Sequence, residues 1–125
     1  MEVLFTLQTI VRHGHKRGKK LGFPTINDMV ARTVPEGIYV SFAEINGKRH
    51  NALTFIGEAK TFNETDYLAE TYILNFSEDL YGQAVTVSVL KKLRDNQKFA
   101  TAQALQKQME EDRRQAEAFF ASDNF

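Results

Sequence analysis

Two runs of alternating apolar residues, Gly37–Ile45 and Lys48–Ile56, are separated by nothing but Asn46-Gly47. Asn-Gly is the dipeptide best suited to a two-residue hairpin, because both turn positions need positive φ. The chain must fold back here as an antiparallel pair, with Ile38, Val40 and Phe42 on one face of the first strand. A period of two recurs in Glu2–Arg12, where Val3, Phe5, Leu7, Thr9 and Val11 share parity. It recurs again in Glu70–Phe76, with Tyr72, Leu74 and Phe76 together, and in Gln83–Leu93, with Val85, Val87 and Val89 together. From Thr101 the period changes. Ala102, Leu105, Met109, Ala116 and Phe120 are spaced as on one helix face, and the Thr101 hydroxyl is placed to cap the first turn. About five strands and then one long helix, without βα alternation, predict a mainly β protein: a closed or nearly closed antiparallel barrel, the helix covering an open end or an edge. Residues 13–27 and 57–69 read as long loops, the kind that carry function.

Composition narrows the class. At 125 residues the chain reads as one domain, barrel about 2–94 and helix about 99–121. It has no cysteine, which excludes a disulfide scaffold, a thiolate zinc site, an iron–sulfur cluster and a cysteine nucleophile, and makes the cytoplasm the expected location. Lys+Arg and Asp+Glu are both 16, so the whole chain has no pull toward nucleic acid or an anionic membrane. No apolar run approaches the roughly 18–20 residues of a membrane span. The expected partners are small molecules, with neither nucleic acid nor membrane, and the expected state is a monomer.

Three segments could carry chemistry. Arg12–Lys20 consists of Arg, Lys and His except for Gly14 and Gly18. Glycines let backbone amides approach an anion, and cations such as Lys16 and Lys19 supply charge for phosphate; a solvated cationic loop is the alternative. Gly22-Phe23-Pro24-Thr25-Ile26-Asn27 is stiffened by its proline. Thr25 and Asn27, two apart, present a hydroxyl and an amide oxygen to one side if extended. Such neutral oxygens could complete the shell of a Mg²⁺ already bound by phosphates, or simply make local hydrogen bonds in a turn. Glu70 shares parity with Tyr72, Leu74 and Phe76, so a carboxylate stands at the start of an apolar strand face. If that face lines the barrel, Glu70 lies partly desolvated at the mouth, suited to take a proton from a substrate hydroxyl; a solvent-facing glutamate is the other option. No phosphate loop of the G-x-x-x-x-G-K-[ST] kind and no dinucleotide glycine fingerprint is present. His13, His15 and His50 lack the spacing of a metal site.

Gly14, Gly18, Lys19, Gly22, Phe23, Pro24, Thr25 and Asn27 have the spacing of the riboflavin kinase family. The resemblance continues through Gly37-Ile38-Tyr39, Ile56-Gly57, Thr61-Phe62, Glu70, Asp79-Leu80-Tyr81-Gly82, Leu93-Arg94 and Lys98-Phe99, about residues 9 to 121. It implies a six-stranded antiparallel Greek-key barrel with one C-terminal helix, transferring the γ-phosphate of ATP to the ribityl 5′-hydroxyl of riboflavin to make FMN. By resemblance, Gly14, Lys16, Gly18, Lys19, Gly22 and Pro24 bind the nucleotide, and Thr25 and Asn27 hold Mg²⁺ with ATP. Glu70 is then the base, and Tyr81 and Arg94 bind substrate, Arg94 from a loop closing over it, with the flavin toward the helix. The chain departs from the family at Phe55 and Lys60, where Asn and Pro are usual, and gains Glu58 near the nucleotide. Thr9 and Ile26 also stand where smaller residues are customary. With no room for an adenylyltransferase domain, such a chain is expected to stop at FMN. The altered second loop motivates an alternative, a flavin- or nucleotide-binding regulatory module without catalysis.

Overall fold

Asn46 and Gly47 both adopt positive φ, 52° and 78°, and turn the chain between β3 (Gly37–Ile45) and β4 (Lys48–Thr61). The computed structural model describes residues 2–10, 25–61, 64–75 and 82–122. Its other strands are β1 (Phe5–Ile10), β2 (Thr25–Met29), β5 (Glu64–Ile73) and β6 (Ala84–Arg94). All neighbours are antiparallel in the order β1-β6-β3-β4-β5-β2, a nearly closed barrel. A single helix, α1 (Ala102–Ala121), follows, and the Thr101 hydroxyl accepts from the Ala104 amide at 3.1 Å as its N-cap.

Two expected loops are partly strand. Residues 57–61 and 64–69 belong to the far half of the β4–β5 hairpin, from Gly57 opposite Leu68 to Thr61 opposite Glu64. The segment lacks apolar alternation because its ladder is a backbone device that works beyond the core as well as within it. Residues Thr25–Asn27, read as the end of a loop, open β2. In turn β5 stops at Ile73, and Asn75 takes a positive φ of 53°.

Alternation buries both faces of the central strands. One cluster, with Tyr39, Ala43 and Ile45 of β3, Ile56 of β4, Ala69 and Ile73 of β5, and Val85, Val87 and Val89 of β6, fills the barrel. The opposite face carries Val40, Phe42, Leu53, Leu74 and Leu90, packed with Ala116, Phe119 and Phe120 of α1. The helix therefore roofs the outer face of the sheet and not an open end or an edge. Among the described residues no helix is long and apolar enough to cross a membrane.

Candidate active site

The helix meets the sheet closely at Ala116 and stands off nearer its N-terminus, leaving a cavity of about 230 Å³. Leu53, Phe55 and Tyr72 line its sheet side, Leu105 and Met109 its helix side, and Phe99 the segment between. Arg94, Asn96, Gln97 and Asp112 add the polar groups. A mostly apolar and aromatic cleft with a few convergent polar groups is the usual form of a site for a small organic molecule.

Glu70 is completely buried on this same outer face, two residues before Tyr72 on β5. Tyr72 is itself buried, and its hydroxyl donates to Glu70 Oε2 at 2.9 Å. Register puts Phe55 of β4 on one side of Glu70 and Asn27 of β2 on the other, with Thr25 opposite Tyr72. Glu70 is thus neither at the start of its strand nor facing the barrel interior. It stands late in a ten-residue strand, because the ladder with Gly57–Thr61 begins β5 at Glu64. Its face turns to the helix because the other face, with Ala69, Thr71 and Ile73, fills the barrel.

Arg94 is the last residue of β6 and not part of a loop. Its Nε and Nη2 donate to the two carboxylate oxygens of Asp112 at 2.8 and 2.7 Å, and Nη1 to the Asp95 carbonyl at 3.0 Å. Asp112 is only 2% exposed and also accepts from Gln108 Nε2 at 3.1 Å. A two-pronged guanidinium–carboxylate pair of this kind fixes orientation as well as charge. Asp95 is not part of the cavity wall. A hydrogen bond from Lys92 at 2.6 Å holds its carboxyl below the ordinary range and raises Lys92 in return.

Gly57 explains how the far wall closes. A Cβ there would come within 2.7 Å of Asn96 Nδ2, which donates to the Ile56 carbonyl at 3.1 Å, and within 3.0 Å of the Phe55 ring. Only glycine lets the Asn96 amide sit this close to β4. Glu58, a departure from the resemblance, pairs with Arg32 at 2.6 Å, and Arg32 in turn lies over the Tyr67 ring.

Of the residues expected at the site, Glu70, Thr25 and Asn27 come together on adjacent strands, and Arg94 joins the cavity from β6. Gly14, Lys16, Gly18, Lys19, Gly22, Pro24 and Tyr81 lie outside the described residues. Sequence reasoning missed Tyr72, Phe55, Asn96 and Asp112. Asp112 carried a readable signal: with Leu105, Met109 and Ala116 it completes the helix's inward stripe, where a carboxylate needs a partner. Among the described residues, no group of three or more His, Asp or Glu side chains could hold a metal ion.

A nearly closed antiparallel barrel with a helix-roofed aromatic cavity and a buried carboxylate beside it defines a class of β-barrel whose cleft has the form of a small-molecule site. More narrowly, the chain belongs to the riboflavin kinase family, whose model, described as flavokinase, matches residues 1–120. It is 32% identical over 94% of its length to a bifunctional riboflavin kinase/FMN adenylyltransferase of Bacillus subtilis, covering 39% of that protein. It is 35% identical to the protein of the same description from Listeria monocytogenes, covering 94% of this chain and 38% of that one. The chain thus spans about two fifths of the length of these curated relatives. The crystal structure of riboflavin kinase from Trypanosoma brucei shares the fold, with a TM-score of 0.65, 23% identity, and coverage of 95% of this chain and 78% of that one.

Proposed function

We propose that the chain phosphorylates riboflavin, moving the γ-phosphoryl group of ATP onto the ribityl 5′-hydroxyl to give FMN and ADP. The observation that carries this reading is a fully buried carboxylate, Glu70, adjoining an aromatic cavity and standing in register with Asn27. The ring system occupies the cavity between Phe55 and Tyr72 on one side and Leu105 and Met109 on the other. Its ribityl chain runs toward Glu70. There Glu70 accepts the proton of the 5′-hydroxyl as that oxygen bonds to the γ-phosphorus and the bond from phosphorus to the β-bridging oxygen breaks. Such catalysis is mostly positioning and charge compensation.

The nucleotide is assigned to Gly14, Lys16, Gly18, Lys19, Gly22 and Pro24, as a cationic glycine flap over its phosphates. Thr25 and Asn27 would hold Mg²⁺: one hydroxyl and one amide oxygen are hard donors, enough for an ion that takes its remaining ligands from phosphate and water. Bound there, the ion would neutralise charge on the transferring group. Arg94 and Tyr81 are assigned to substrate, Arg94 in the orientation set by Asp112. Partners are then small molecules, without nucleic acid, and the working state is a monomer in the cytoplasm.

The test is turnover of riboflavin with ATP and Mg²⁺, followed by chromatographic separation of FMN. Glu70→Gln is expected to lower kcat by about 10²–10⁴-fold while nucleotide binding persists. Flavin binding without FMN formation in the unaltered chain would replace the kinase by the regulatory module. Salt-sensitive RNA binding without flavin binding would replace both.

A further inference from the structure

Tyr72 belongs to two structures at once. Its ring is part of the cavity wall, and its hydroxyl donates to Glu70 Oε2 at 2.9 Å in a buried environment. The two residues are separated by one position on β5 and so lie side by side on one face. With Glu70 completely buried, bulk water does not set the torsion of its carboxyl group. The hydroxyl aims a donor at one carboxyl oxygen, and a buried hydrogen bond of this kind fixes the direction from which that oxygen is approached. The wall and the carboxyl are therefore linked through the rigid ring of Tyr72.

We infer that Tyr72 is a positioning residue of this site: its hydroxyl helps hold the Glu70 carboxyl in one orientation and ties that orientation to the wall on which a planar ligand rests. The inference deepens the kinase reading and rests on it for its kinetic consequences. Tyr72 acts through Glu70, and no bond to substrate passes through it. A ligand packed on the ring stiffens it and, through the phenol, the carboxylate; removing only the oxygen separates the two roles.

Tyr72→Phe keeps the ring and the wall and removes only the donor. Expected is a fall in kcat of about 10- to 100-fold, the scale of a lost hydrogen bond to a charged group, with KM for riboflavin and for Mg–ATP within about twofold. In a Glu70→Gln background the same change is expected to alter residual kcat by less than about twofold, because both substitutions disable one device. Three results overturn the inference: kcat of Tyr72→Phe within about twofold of the unaltered chain, a loss carried by riboflavin KM alone, or an equal loss in the Glu70→Gln background. If the unaltered chain makes no FMN, the kinase reading fails by itself. Denaturant unfolding of Tyr72→Phe, Glu70→Leu and the double variant then decides the pair. Strong coupling between the two substitutions supports the holding role, and additivity removes it.

Discussion

The two faces of the sheet are both buried, yet they are built differently. Inside the barrel, Ile56, Ile73, Val85, Val87 and Val89 are at most 2% exposed. Even the polar groups there are tied to one another: Thr54 donates to Ser41 at 2.8 Å, and with that proton committed Thr71 donates to Thr54 at 2.9 Å. On the outer face the helix packs down at Ala116, Phe119 and Phe120 but leaves the cavity beside Leu105 and Met109. A barrel interior of this size is filled by side chains and has no room for a ligand. A separate helix laid across a curved surface cannot match it everywhere, and the mismatch is the cavity that Tyr72 and Arg94 line, with Glu70 next to Tyr72. Closure supplies rigidity, and the imperfect roof supplies the site.

That contrast can be broken first at the Arg94–Asp112 pair, which joins sheet to roof. Asp112→Ala leaves a mostly buried guanidinium without its carboxylate, and a loss of about 3–5 kcal/mol in denaturant-unfolding stability is expected. Next, truncation should cost more inside than outside. Ile73→Ala is expected to lose about 2–5 kcal/mol, because a filled interior cannot collapse around the gap. Phe55→Ala, at a wall already facing a cavity, is expected to lose about 1 kcal/mol of stability and to raise KM for riboflavin instead. Equal stability losses for the two would erase the distinction.

A smaller effect concerns the interior tyrosines. The Tyr39 hydroxyl donates to the Pro35 carbonyl at 2.6 Å, the Tyr67 hydroxyl donates to the Val34 carbonyl, and burial pushes both above the ordinary value of 10.0. The fold thus favours their protonated forms. Their contribution is complete below the unfolded value, and it is lost as pH rises through the higher folded values. Ultraviolet absorbance should show phenol ionisation extending above the ordinary tyrosine range, with stability declining over the same alkaline range. Last, Asp95→Asn removes the Lys92–Asp95 pair outside the cavity, where one partner is 88% exposed. No measurable change in the unfolding midpoint is expected, since exposed pairs contribute little.

Much of the architecture was legible in the residue order. The Asn46-Gly47 hairpin, the alternation in β1, β3 and β6, and the Thr101 cap were all read from features that act within a few residues. The far half of the β4–β5 hairpin was not, because backbone pairing leaves no apolar period to read. At the site, Glu70 was legible as a carboxylate on an apolar face, but its depth and its side of the sheet were not. Asp112 sits 18 residues from Arg94, and no local pattern pairs them.

Local chemistry alone therefore determined where the chain turns, which stretches extend and where the helix begins, since φ preferences, side-chain period and capping are settled among neighbours. Alternation tells that a strand has two faces and cannot tell which one a barrel will enclose. Only barrel closure and the docking of α1 decided that Glu70 lies on the outer face beside Tyr72, that Gly57 admits Asn96, and that Arg94 meets Asp112. These are contacts between elements distant in the chain, and their energies exist only once the elements are packed.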